Sequence, residues 1–214
     1  MAKENNLFSP SGPYASVMNW LWNLITVSVL WLVCAIPLVT LGAASTAAYY
    51  AMAKAVRHHT GTVASEFFSC FKRNFRQSAG LTLVTGLVLI VAVMECIYLY
   101  SDASVPLGVL YLFYFLAGTA AACAIYLWPC LSRFDRGSFA LIRMSVVLVF
   151  RHLTTTILLL LLLAAALVGI FLMPWGILIF PGLAVYLETF LMEKILLRYS
   201  PRPTPEEADK WYYQ

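Results

Sequence analysis

Charge is what this sequence has least of. Charged residues fill 11% of its 214 positions, where an ordinary soluble domain has about a quarter. That shortage excludes a chain that meets water over its whole surface. Acidic residues are the scarcer sign, 10 against 14 lysines and arginines. Catalytic signatures are missing too. There is no P-loop, no HExxH, no GxSxG and no DxD-like cluster, so nothing points to an enzyme, a cofactor or a metal. The five cysteines, Cys34, Cys70, Cys96, Cys123 and Cys130, form no CxxC pair and no Cys/His ligand spacing. In apolar helical context a cysteine acts as a small hydrophobe. His58 and His59 are adjacent, point to different helix faces and make a poor ligand pair. The opening residues, MAKENNLFSPSGPY, lack the basic start, apolar core and small-residue cleavage site of a removable signal peptide.

What is present is apolar length. Hydrophobic residues make up 62% of the chain, and several runs approach or exceed the about 18–20 residues that cross a bilayer as a helix. The sequence therefore predicts an all-α, polytopic membrane bundle in a lipid bilayer. Its spans are expected at residues 17–39, 79–100, 107–128, 153–173 and 177–196, in one domain covering 1–198. Residues 199–214 form a proline-rich, charged tail. Trp20, Trp22, Trp128, Trp175 and Trp211 lie near expected span ends, as an aromatic belt would place them.

Basic residues in short loops set orientation. Lys54, Arg57, Lys72, Arg73 and Arg76 follow the first span; Arg133, Arg136, Arg143 and Arg151 follow the third; Lys194, Arg198, Arg202 and Lys210 close the chain. Of the 14 lysines and arginines, all but Lys3 fall on one side, and Asp102 marks the other. An odd number of spans then puts the N-terminus outside and the C-terminus in the cytoplasm of a cell-membrane protein. The net charge of +4 reads as an inward-facing signature, not as a nucleic-acid patch.

A shift of 76 residues aligns the chain with itself. Gly42 meets Gly118, Ala44 meets Ala120, Ala48 meets Ala124, Tyr50 meets Tyr126 and Arg57 meets Arg133. Gly61/Gly137, Ala64/Ala140 and Ser69/Ser145 continue the match. This suggests a parallel duplication with an extra last span. Both units carry a small-residue run, and small residues let helix backbones approach closely in lipid. Gly42, Ala44, Ala48, Gly118, Ala120 and Ala124 are the expected packing residues. The segment after Pro37 should continue as a helix, with Pro37 kinking the chain rather than ending it.

The stretch SEFFSCFKRNFRQS, residues 65–78, reads as an amphipathic helix. Phe67, Phe68, Phe71 and Phe75 share one side; Lys72, Arg73 and Arg76 lie opposite, with Glu66. Three settings fit: an interfacial helix on anionic lipid, a helix in a partner's groove, or packing on this protein's own inner surface. Within the spans, Asn19, Asn23 and Thr26 lie along one stripe, for interhelical hydrogen bonds or a solute pathway. Glu188, deep in the fifth span, should either pair with a basic group near the inner boundary or hold a proton.

The block NLITVSVLWLVCAIPLVTLGAASTAAYYAMAKAVR, followed by FFSCFKRNFRQS, resembles the YesL family of bacterial membrane proteins. The segment YLWPCLSRFDRGSFALIRMSVVLVFRHL resembles a later inner segment of that family. The resemblance implies about five spans and no assigned activity. It also implies association with carbohydrate-uptake ABC systems. The favoured expectation is a non-catalytic accessory subunit that touches a permease or ATPase. The alternatives are a stand-alone small-solute transporter or channel, with a wet cavity lined by Asn19, Asn23, Thr26 and Glu188, and a structural or sensory module.

Overall fold

The computed structural model describes residues 13–101 and 106–200. Lys3, Asp102 and the tail residues Arg202, Lys210 and Trp211 lie outside the described residues. Helix α1 (Pro13–Ala35) leads through a 3-10 turn (Leu38–Thr40) into α2 (Leu41–Ala51), which widens into a π-helical turn (Met52–Arg57). Then follow α3 (Val63–Ser101), α4 (Leu107–Arg133), α5 (Ser138–Arg151) and α6 (Leu153–Leu172). A second 3-10 turn (Pro174–Leu178) precedes α7 (Phe180–Tyr199).

Four of these, α1, α3, α4 and α6, are long and apolar enough to cross a membrane. Their outer surfaces fit that setting. Leu87 and Ile90 on α3, Tyr111 on α4 and Leu161 on α6 stand exposed, and Phe171 is 86% exposed. Such a continuous apolar surface suits lipid and not water. Helix α7 is not among the four. Glu188, Glu193, Lys194 and Arg198 interrupt its 20 residues.

The first expected span ends earlier than its hydropathy suggests. Pro37 does not kink a continuing helix; it ends α1. It lacks an N–H and disfavours helical backbone at Ile36, and it is itself extended, with ψ of 114°. The Thr40 hydroxyl reaches the carbonyl oxygens of Cys34 and Pro37, fixing the reversal. Helix α2 then runs back along α1: the Trp31 indole N–H donates to Ser45 Oγ at 3.0 Å across the hairpin. The expected helix after the break is present, but it points backwards.

Helix α3 reverses direction again. Lys54 Nζ meets Glu66 Oε2 at 2.8 Å near the turn, and Gly42 N donates to Thr82 Oγ1 at 3.2 Å at the far end. Two residues of that turn are left-handed, His59 at φ +52° and Gly61 at φ +81°. The amphipathic stretch and the second expected span are thus one 39-residue helix, about 58 Å long at 1.5 Å per residue. That is nearly twice the roughly 30 Å hydrocarbon core of a bilayer. Its first part continues into the apolar run with no break in the helix. Helix α5 also carries an amphipathic pattern of the interfacial kind: Phe139, Val146, Val147 and Phe150 stand exposed beside Arg143 and Arg151.

Two buried clusters hold the fold. One joins Leu24 and Val27 of α1, the alanines of α2, and Val63, Phe67 and Cys70 of α3. The other joins Tyr49, Tyr126, Leu127, Leu141, Leu148, Leu159 and Met192 from α2, α4, α5, α6 and α7.

A buried arginine–glutamate pair beside a carboxylate-bearing cavity

Helix α7 is gripped from three sides. Its first turn lies against α1, where Gly182 N donates to Ser28 Oγ at 2.8 Å. Arg57, at the end of the π-helical turn, donates from Nη1 to the Thr189 carbonyl at 2.7 Å, and its guanidinium sits 4.8 Å from the Phe190 ring centre. Arg133, the last residue of α4, donates from Nη1 to Glu193 Oε2 at 2.9 Å, with side chains only 4% and 2% exposed. The other Glu193 oxygen accepts from the Tyr49 hydroxyl at 3.1 Å. One carboxylate therefore ties α2, α4 and α7 together, with both its oxygens used.

The pairing expected of Glu188 is made by Glu193 instead. The five-residue step between them turns the two side chains about 140° apart on the helix. Glu188 faces a cavity of about 340 Å3 walled by α1, α2, α3, α4, α6 and α7, with Trp31, Tyr49, Trp128 and Leu163 in its lining. Asn19, Asn23 and Thr26 do not line it. Asn19 is exposed, and the Thr26 hydroxyl bonds the Trp22 carbonyl of its own helix. The structure therefore does not bring the four expected intramembrane residues together.

The six small residues also divide. Gly42, Ala44 and Ala48 are buried, and a Cβ at Gly42 would run into Thr82 Oγ1 and the Trp128 ring. Their counterparts Gly118, Ala120 and Ala124 are only partly covered, and a Cβ at Gly118 would meet nothing within 4 Å. The first run packs tightly, with Gly42 against α4. The second does not pack tightly in return.

The basic aromatic stretch splits along its length. Its buried face is Val63, Phe67, Cys70, Asn74, Ser78 and Leu81, turned from the face that four phenylalanines suggest. Asn74 Nδ2 donates to the Cys70 carbonyl at 3.2 Å and Ser78 Oγ to the Asn74 carbonyl at 2.7 Å, so both polar groups are satisfied within the helix. Phe67 is fully buried and Phe71 packs partly on the same cluster. Arg73 lies over the Tyr50 ring at 5.3 Å. Phe68, Lys72, Phe75 and Arg76 point outward as one strip, Phe68 being 43% exposed.

Sequence reasoning did not single out Tyr49 or Glu193, and it named Arg133 only as a loop cation and as the repeat mate of Arg57. The repeat held the signal, because it aligns Arg57 with Arg133 and both arginines hold α7. The basic segments converge through other contacts too: Gln77 Nε2 donates to the Arg136 carbonyl at 2.7 Å, and Arg151 lies 5.9 Å from the Tyr199 ring.

At this end His58 and His152 are both held below the usual imidazole range. Burial is the main cause for each; Arg198 and Arg151 add to it at His152. The folded protein thus binds these protons less readily than the unfolded chain, whose imidazoles titrate near 6.5. The stability linked to them is complete above about pH 6.5 and lost as the pH falls below it. The melting temperature in detergent should drop between pH 7.5 and 5.5. His58→Gln with His152→Gln should flatten that drop.

Among the described residues, no group of three His, Cys, Asp or Glu side chains could hold a metal. No curated protein and no solved structure matches the chain. A family model does match, over the segment that forms α1, α2 and most of α3: residues 16–96 are similar to DUF624, described as a protein of unknown function.

Proposed function

We propose that this chain is a non-catalytic, multi-pass cell-membrane protein that acts by contact, as an accessory subunit of a carbohydrate ABC importer. The DUF624 match is compatible with the YesL family, and the importer association follows from the resemblance to that family. In this reading α7 is the last span and the convergent basic segments face the cytoplasm. The start of α1 lies at that same end, because α2 doubles back along α1 to the basic turn and Trp20 of α1 packs on Tyr186 of α7. The outside N-terminus expected from an odd span count is therefore not retained. The duplication accounts for one pairing: repeat-related Arg57 and Arg133 both hold the extra element.

One observation carries the contact reading. The strip Phe68–Lys72–Phe75–Arg76 is outward-facing although Phe67, on the same turn, is buried. A continuous helix packed along α2 presents that strip outward, and exposed aromatics flanked by cations are the usual anchors of a protein interface. Phe68→Asn with Phe75→Asn should leave the unfolding free energy within about 1 kcal/mol of wild type, since exposed substitutions cost little. The same variant should lose importer subunits that co-purify with the tagged wild type from native membranes. Finding no permease or ATPase with the wild type at any detergent strength would contradict the reading.

A further inference from the structure

We propose that the cavity beside Glu188 is a binding site for a small organic ammonium ion with an apolar body. The inference does not rest on the importer partnership. Among the described residues lining the cavity, Glu188 is the one Asp, Glu, Lys, Arg or His. Among the described residues, none gives its carboxylate a hydrogen bond or an ion pair, while Glu193, five residues further on, has partners from two other helices. An intramembrane carboxylate without a partner is costly and points to an exogenous one.

The walls supply the rest of the recognition. Trp31, Tyr49 and Trp128 line the same space, and the faces of such rings attract cations. The walls are held in place. Trp31 is fixed by its bond to Ser45, Tyr49 by its bond to Glu193, and Trp128 by its contact with Gly42. The remaining lining is aliphatic, from α4 and α6, including Leu163 and Ala166. A volume of about 340 Å3 lies at the lower end of small-molecule sites, which run from roughly 300 to 1,000 Å3. One positive charge on a compact apolar body matches one carboxylate in an apolar, aromatic-walled space. A neutral sugar, which needs many hydrogen-bond partners, does not.

The test uses radiolabelled benzyltrimethylammonium and the full-length protein in detergent. Saturable binding to the wild type is expected, competed at least tenfold less well by the neutral carbon isostere, neopentylbenzene. Glu188→Gln should weaken binding at least tenfold, Glu188→Asp should retain part of it, and Ala166→Phe should abolish it by filling the cavity. Melting curves identify any variant that fails to fold, in which case the isostere comparison on the wild type decides. No saturable binding to the wild type, equal competition by the isostere, or undiminished binding to a folded Glu188→Gln would overturn the proposal.

Discussion

Arg133→Met should destabilise the protein by about 3–5 kcal/mol, the cost typical of removing one partner from a buried ion pair. The two side chains are almost wholly enclosed, so water cannot replace the lost guanidinium. Glu193 would keep the Tyr49 hydroxyl, but a neutral donor offsets only part of a buried negative charge. Three helices would loosen together, because the same carboxylate joins α2, α4 and α7. Arg133→Met combined with Glu193→Met should recover most of the loss, since an apolar pair of similar volume leaves no charge stranded. Reversible unfolding in mixed detergent micelles measures both variants. A single-variant loss below about 1 kcal/mol would mean that the pair is hydrated, as exposed pairs are.

Gly182→Ala should be the most damaging alanine substitution at any glycine in the described chain. The added Cβ would land on the Leu24 carbonyl oxygen of α1 and 2.8 Å from Ser28 Oγ. Backbone cannot swing aside as a side chain can, so α1 and α7 must separate. Overpacking of this kind costs about 1–3 kcal/mol, and parting the helices would also strain the bond from Gly182 N to Ser28. Gly118→Ala is the control. Its Cβ would meet nothing within 4 Å, and alanine gains roughly 0.5–1 kcal/mol over glycine inside a helix. Unfolding midpoints should move in opposite directions for the two variants. Equal shifts would show that the α1–α7 contact is looser than its geometry.

The pattern of what the sequence revealed follows from its physics. The helices α4 and α6 are legible because hydropathy is a property of one helix at a time; α4 starts at Leu107 and α6 at Leu153, where the apolar runs start. The reversal at Pro37 is not legible that way, because an alanine-rich run suits a helix in either direction. It needs Thr40 and the Trp31–Ser45 bond, which are long-range facts. The helical wheel placed the four phenylalanines on one side correctly, yet the buried face is set by what α2 offers. Its alanines form a flat surface that Cys70, Asn74 and Ser78 can approach more closely than Phe68 or Phe75. Glu188 was visible as an isolated charge in an apolar run. That Glu193 and not Glu188 takes the arginine depends on helix phase and on where α4 ends, and neither appears in local composition.

A contact role for α3 requires that the face bearing Phe68 and Phe75 be offered outward. A photocrosslinking phenylalanine analogue placed at position 67, 68 or 75 in native membranes tests it directly. Positions 68 and 75 should yield adducts to an importer permease or ATPase, and position 67, buried against α1 and α2, only links within the chain. Adducts to lipid alone from 68 and 75, or an importer adduct from 67, would contradict the account.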